Sequence, residues 1–379
     1  MQKRSIALLT LCGAVLPLAL ANALHATSDV TAGQVAPLQA TSAIVDIPES
    51  IDRLDPAANA IIPAHPRLQR IATGFKWTEG PLWLPSNQLL FAEIPSNSIR
   101  LWNPASSTVE IFLQPSGYQG TDPYNGPEPG SNAMTLDPSG HLTVAGHAQR
   151  DVWRLEAHDP NHIDSHAPIT ILADTYNGQR LNSPNDLVYR SDGSLYFTDP
   201  PYGLRQQNDK DPAKELPLNG VYRIPGAAAQ SPGTAPDSKR LQLLIKDLPR
   251  PNGIAFSPDE RYLYVNNSEP HMVWMRYAVN PNGTLRNPKI FAEAGTFAKH
   301  GAPDGMKVDR KGNLYSAGPG GVWIFSPGGK HLATIAIPEA VGNLAWGDPE
   351  HKTLYITAST SVYRIALNVQ GVYPHVASK

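Results

Sequence analysis

The chain predicts an all-β fold: a six-bladed β-propeller with four antiparallel strands in each blade. Three observations point there. One sequence unit recurs six times. Within each unit apolar residues alternate with a period of two, the signature of a half-buried strand. No helical period runs for any length in the repeating region. Self-similarity at a fixed spacing belongs to propellers and solenoids, where one unit cannot bury its apolar face alone. A β-helix would show a shorter period, and a sandwich would not repeat six times.

The units run in order as "EGPLWLPSNQLLF" from Glu79, "NAMTLDPSGHLTV" from Asn132 and "NDLVYRSDGSLYF" from Asn185. They continue as "NGIAFSPDERYLYV" from Asn252, "DGMKVDRKGNLYS" from Asp304 and "GNLAWGDPEHKTLYI" from Gly342. Their starts lie 53, 53, 67, 52 and 38 residues apart, which places an insertion in the third unit. Each unit is a hairpin joined by a polar turn such as Ser191-Asp192-Gly193. A third strand follows in every unit, from Ile99–Trp102 in the first to Val362–Ile365 in the last. A fourth follows in five of them, as "VEIFLQ", "ITILAD", "LQLLIKD", "KIFAEA" and "HLATIAI". The sixth unit lacks its own. The segment "LQRIATGF" (Leu68 to Phe75) resembles the missing strand and is expected to close the ring, leaving no open edge there.

The remaining chain divides simply. Residues 1–23 read as a signal peptide: Lys3 and Arg4, an apolar run from Ser5 to Leu20, and a small-x-small site at Ala21-Asn22-Ala23. The mature protein is then periplasmic or secreted, with no membrane span after cleavage. Residues 24–66, rich in Ala, Pro, Ser and Thr, read as a linker or loosely packed arm, and removal of 24–60 is expected to be tolerated. Residues 67–379 form the propeller. Cys12, the only cysteine, sits in the apolar run after Leu11, which does not suit lipidation; disulfides and thiol chemistry are excluded. A formal net charge of −2 offers no basic surplus for nucleic acid. No G-x-S-x-G elbow, H-E-x-x-H, G-x-G-x-x-G or P-loop is present.

The first residue of each unit carries the chemistry. The series is Glu79, Asn132, Asn185, Asn252, Asp304 and Gly342. Equivalent positions of successive blades are related by rotation about the axis, so these residues should ring one end of the central channel. Five carry side-chain oxygens, and two are carboxylates that match the charge of a divalent ion. Read singly, Asn-Gly or Asp-Gly is an ordinary turn. A turn does not explain Glu79 in the same register, nor Pro184, Pro251 and Pro303 immediately before three of the members.

These residues carry a resemblance. "GFKWTEGPLW", "LNSPNDLVYRSDGSLYFTDPPYGL", "RPNGIAFSPDERYLYV" and "APDGMKVDRKGNLYSAGPGGVWIFSP" resemble the gluconolactonase family, which includes senescence marker protein (regucalcin). The likeness spans Arg67 to Leu367. It implies a six-bladed propeller that binds one divalent cation at the channel mouth and hydrolyses lactones. Calcium is the first choice of ion, with Zn2+, Mn2+ and Mg2+ as alternatives. By motif the metal ligands fall on Glu79, Asn185, Asn252 and Asp304. Asn132 falls on the pocket wall, and Arg180 resembles a substrate-contacting arginine. His147 and Tyr202 are also family-like, and His300, four residues before Asp304, joins them as a candidate pocket residue.

The expected function is metal-dependent opening of sugar lactones to aldonic acids. Asp304 is the expected general base, with one oxygen free of the ion. Two alternatives stay open: an ester or phosphotriester hydrolase on the same scaffold, and a non-catalytic ligand-binding propeller. The third-unit insertions, Gln206 to Leu218 and Gly226 to Lys239, are candidates for a lid.

Overall fold

The computed structural model describes residues 43–157, 159, 161–295 and 299–374. The expected signal peptide and the first part of the Ala/Pro-rich stretch lie outside the described residues. Six antiparallel sheets form the six blades. The first is Thr78–Trp83, Leu89–Glu93, Ser98–Asn103 and Thr108–Leu113. The second is Met134–Leu136, Leu142–Gly146, Asp151–Leu155 and Ile169–Ala173. Blade three is Leu187–Tyr189, Leu195–Asp199, Gly220–Ile224 and Gln242–Ile245. Blade four is Pro251–Phe256, Tyr262–Asn267, Val273–Val279 and Leu285–Glu293. Blade five is Met306–Val308, Leu314–Gly318, Gly321–Phe325 and His331–Ala336. Blade six begins with Val341–Gly347, Thr353–Ala358 and Ser361–Ala366.

The sixth blade takes its fourth strand from the other end of the chain. Leu68–Thr73 pairs antiparallel with Ser361–Ala366, setting Leu68 opposite Ile365 and Arg70 opposite Tyr363. The closure expected from "LQRIATGF" is therefore present. It ties residues almost three hundred positions apart, so the ring has no exposed edge at its seam.

Local chemistry shapes each hairpin. The turn aspartates accept from amides two and four residues on: Asp137 Oδ1 from Ser139 and His141, Asp309 Oδ1 from Lys311 and Asn313. These Asx turns offer the reversing backbone its partners. Gly193 and Gly312 take the positive φ that the turns need.

The core does not sit inside blades but between them. Six buried apolar clusters each join two neighbouring blades; Leu195 and Phe197 of blade three, for example, pack with Ala145 and Val152 of blade two. A single blade would leave both faces wet. Each Leu, Ile or Phe buried by its neighbour contributes about 1.5–3 kcal/mol, and this is the physical reason that the units come as a closed set.

The segment read as a linker or loosely packed arm is ordered from Val45 on. Val45–Ile47 pairs outside Leu68–Thr73, and Ile51–Arg53 pairs outside His331–Ala336, so the segment clamps blades five and six together. A 3-10 turn, Pro56–Ala60, capped by Asp55, then buries Ala58, Ile61 and Ile62 in the cluster between those blades. The expected tolerance to loss of 24–60 does not extend to residues 45–60. The composition hid this, because strands of three residues carry almost no periodic signal.

Candidate active site

The ring predicted from register assembles. Glu79, Asn132, Asn185, Asn252 and Asp304 line one cavity of about 290 Å³ at the entry end of the inner strands. Hydrogen bonds between blades, all accepted by main-chain carbonyls, fix the series. The Asn185 carbonyl accepts from Ala133 N of blade two, and the Asn252 carbonyl from Thr198 Oγ1 of blade three. The Asp304 carbonyl accepts from Asn266 Nδ2 of blade four. Gly305 N of blade five donates to Gly342 O, continuing the chain of contacts to the last blade.

The glycines in these motifs serve packing more than turning. A Cβ on Gly305 would lie 2.0 Å from the Asn343 side chain, and one on Gly253 would lie 2.2 Å from the Asp304 carbonyl. Neither residue has a positive φ. The sixth series member is glycine for a related reason: a Cβ on Gly342 would fall 2.3 Å from Glu79 Oε1. The first blade's carboxylate occupies the space that a sixth side chain would need.

The two carboxylates are held alike. Glu79 Oε2 accepts from Gly80 N, and Asp304 Oδ1 accepts from Gly305 N, each at 3.0 Å. Both groups are buried. Loss of water pushes Glu79 up to about 8, with the negative charges of Asp186 and Glu128 adding to the rise. Burial raises Asp304 well above its usual value, helped by the charges of Glu79 and Asp186. The amide oxygens of Asn132 and Asn252 are buried without a hydrogen-bond partner. Two crowded carboxylates beside orphaned amide oxygens offer the donor chemistry that hard cations take. Among the described residues no three His, Cys, Asp or Glu gather in a metal-sized cluster, so amides must complete any ligand set. Glu79, Asn252 and Asp304 fit that description; Asn185 lines the same cavity, with the orphaned oxygen of Asn132 beside it.

The other candidates separate. Tyr202 lines the cavity, and its hydroxyl, bonded to Ser268 and pushed up by burial, remains neutral. His147 is buried and lies behind the wall. Its Nδ1 is 3.1 Å from the Pro184 carbonyl, and its Nε2 is 2.7 Å from Glu128 Oε2. Arg180 is exposed and donates to the Gln149 carbonyl at 2.6 Å, outside the cavity lining. His300 bonds the Ile337 carbonyl at 3.1 Å and is also outside the lining. For these last two, sequence proximity to Asn185 and Asp304 did not bring the side chains to the cavity. Asp199 caps the approach to Asn185, accepting from Asn182 N at 2.8 Å and Ser183 N at 2.7 Å; burial raises it to about 7.

Trp77, Glu128, Ser268, Glu269 and Met272 also line the cavity and were not read from the sequence. Glu128 comes from the connection between blades one and two, and Glu269 from the turn after the inner hairpin of blade four. Neither belongs to the repeat, so register could not find them. Of the two expected lid insertions, Gln206 to Leu218 contributes no residue to the cavity lining. The other turns outward, where the carbonyls of Ala227, Ala228 and Gln230 accept from Arg154 of blade two.

Comparison with known proteins finds relatives across most of the chain. Residues 77–360 match the SMP-30/Gluconolactonase/LRE-like region. A gluconolactonase from Zymomonas mobilis is 37% identical over 339 residues, covering 85% of this chain and 87% of its own. The lactonase drp35 of Staphylococcus aureus is 31% identical over 156 residues, 41% of this chain and 42% of its own. Among solved structures, a gluconolactonase from Xanthomonas campestris aligns with a TM-score of 0.69 at 30% identity, covering 86% of this chain and 98% of its own. A calcium-binding regucalcin from Agrobacterium tumefaciens shares the fold, with a TM-score of 0.60 at 16% identity over 80% of this chain and 95% of its own. The chain belongs to the SMP-30/gluconolactonase/LRE-like family.

Proposed function

We propose that this protein is a cation-dependent lactonase that opens sugar lactones to aldonic acids. The observation that carries the reading is the single cavity lined by Glu79, Asn132, Asn185, Asn252 and Asp304. Glu79, Asn185, Asn252 and Asp304 would hold one divalent ion, calcium by preference for such oxygen donors. Bound there, the ion would supply Lewis acidity toward an ester carbonyl. The lactonase names of the Zymomonas and Staphylococcus relatives support the same substrate class.

The chain's own residues divide the remaining work. Glu79, braced by Gly80 N and packed against Gly342, anchors. Asp304 has one oxygen engaged by Gly305 N. Its other oxygen is the acceptor for the proton of an attacking water. Desolvation makes that carboxylate more basic than one in water. The proton then passes to the ring oxygen as the C–O bond breaks, and the product leaves as an open acid. Asn132 and Tyr202 line the wall against which the lactone is oriented. The N-terminal pattern supports action after export from the cytoplasm.

The test is turnover of a lactone panel by purified protein, with and without chelator, and after calcium is restored. Chelator-sensitive, calcium-restored hydrolysis of a sugar lactone is expected. No ester or lactone turned over with any divalent ion would leave a binding propeller instead.

A further inference from the structure

Glu128 and His147 form a hydrogen-bonded pair at the cavity wall that the six-fold series does not account for. Glu128 lines the cavity with its side chain 19% exposed, while the His147 ring is fully buried. Both ring nitrogens face acceptors: the Pro184 carbonyl at Nδ1 and Glu128 Oε2 at Nε2. The 2.7 Å contact between Nε2 and Oε2 holds the Glu128 carboxyl against the ring. Two loops seal it. A Cβ on Gly203 would lie 2.7 Å from the His147 ring, and Tyr124 donates to the Gly203 carbonyl from the opposite loop. Arg205 lies 5.5 Å from the centre of the Tyr124 ring and covers that junction.

We propose that Glu128, locked in place by His147, selects polyhydroxylated lactones over lactones whose ring carries no hydroxyls. The proposal rests on the lactonase reading and names the feature of the substrate that the site requires. His147 occupies Oε2, which leaves Oε1 as the acceptor that the cavity sees. Glu128 shares the cavity with Glu79 and Asp304 yet occupies no position of the repeat. A sugar lactone brings hydroxyl donors to pair with Oε1. A plain alkyl lactone brings only acceptors, so seating it strips water from a carboxylate and returns no hydrogen bond. Sites built to bond a substrate hydroxyl discriminate strongly against the analogue that lacks it. His147 acts as a positioning residue, because it reaches the substrate only through Glu128.

Two lactones with the same six-membered ring test this: D-glucono-1,5-lactone and unsubstituted δ-valerolactone. In Glu128→Leu, kcat/KM for gluconolactone is expected to fall by about 10–100-fold, chiefly through KM, while valerolactone changes by less than about threefold. Glu128→Gln, which keeps one acceptor, falls between. His147→Leu is expected to give the same hydroxyl-selective loss, and the double variant no more than Glu128→Leu alone. Should His147→Leu not fold, Glu128→Leu carries the test by itself. Wild-type protein without turnover of either lactone sinks the lactonase reading and this role with it. Wild-type turnover of both, with Glu128→Leu losing both equally or neither, overturns the role of Glu128 and leaves the lactonase reading standing.

Discussion

The two ends of the central channel are built by the same six inner strands and differ in almost every chemical respect. At the entry end the strands present Glu79, Asn132, Asn185, Asn252 and Asp304 to a cavity of about 290 Å³. A few residues further along, the same strands line an apolar cavity of about 100 Å³ with Leu82, Trp83, Met134, Leu187, Tyr189, Ile254, Phe256 and Trp346. The C-terminal segment covers this second end. Val372 N donates to the Val308 carbonyl at 3.0 Å, and the Tyr373 hydroxyl donates to the Trp83 carbonyl at 2.6 Å. Gly371 lies where a Cβ would be 1.8 Å from the Trp346 ring. Next to Asn185, Asp186 accepts from the amides of Leu187 and Ile254, and Lys307, which lines the second cavity, donates to Asn343 Oδ1 at 3.2 Å. The contrast assigns chemistry to one end and stability to the other, and four experiments can break or sharpen it.

The largest effect is expected at the polar end. Asp304→Asn removes a carboxylate from the ring while keeping its size. Lactone turnover should drop by about a thousandfold or more, with the melting temperature shifted by only a few degrees. Wild-type turnover in the folded variant would show that Asp304 neither holds the ion nor takes the proton. At the apolar end the pattern should invert. Trp346→Ala is expected to lose about 3–5 kcal/mol of stability by opening a void among Tyr315, Gly371 and the channel lining. Denaturant unfolding reads that loss, and kcat/KM of the folded fraction should stay at the wild-type value. A selective fall in kcat/KM would couple the two ends and end the contrast.

Gly342→Ala probes the polar end without replacing any of its oxygen-bearing side chains. The new methyl competes with Glu79 Oε1 for one place, so calcium affinity by calorimetry should weaken by about 10–100-fold, as for changes to groups that orient a ligand. Unchanged affinity would mean that Glu79 has room to shift. The last experiment concerns pH. Burial and neighbouring charges hold Glu79 at about 8, against 4.5 in the unfolded chain. The cation-free folded state therefore binds the extra proton, and its stability should decline as pH rises from about 4.5 to 8. Calcium should flatten or reverse that slope, because it favours the ionised carboxylate. Melting temperatures across this range, with chelator and with calcium, check the sign.

Much of the fold was legible because the repeat states it six times. Each hairpin, each third strand and five of the fourth strands coincide with alternating apolar runs, and even the closing strand Leu68–Thr73 announced itself by resemblance to its equivalents. The clamp at Val45–Ile47 and Ile51–Arg53 did not. Three-residue edge strands depend on the sheet that they join, not on a pattern of their own. The ring of oxygens was legible for the same reason as the blades: equivalent positions converge under rotation. Arg180 and His300 show the limit of that logic. Each lies within five residues of a ring member in sequence, yet their side chains bond Gln149 and Ile337 and stay outside the cavity.

The opening of unit five, Pro303-Asp304-Gly305, shows where the two kinds of information meet. Sequence by itself determined the architecture and the identity of Glu79, Asn132, Asn185, Asn252 and Asp304 as one set, because periodicity and register are properties of the chain. Tertiary structure decided why Gly305 and Gly342 are glycines, since that depends on Asn343 and Glu79 arriving from neighbouring blades. It also decided that Glu128 reaches the cavity and that His147 stands behind it, because loops outside the repeat are positioned by what they pack against. Strand order is a local and periodic property; the meeting of two loops over a channel is neither, and only the folded ring can set it.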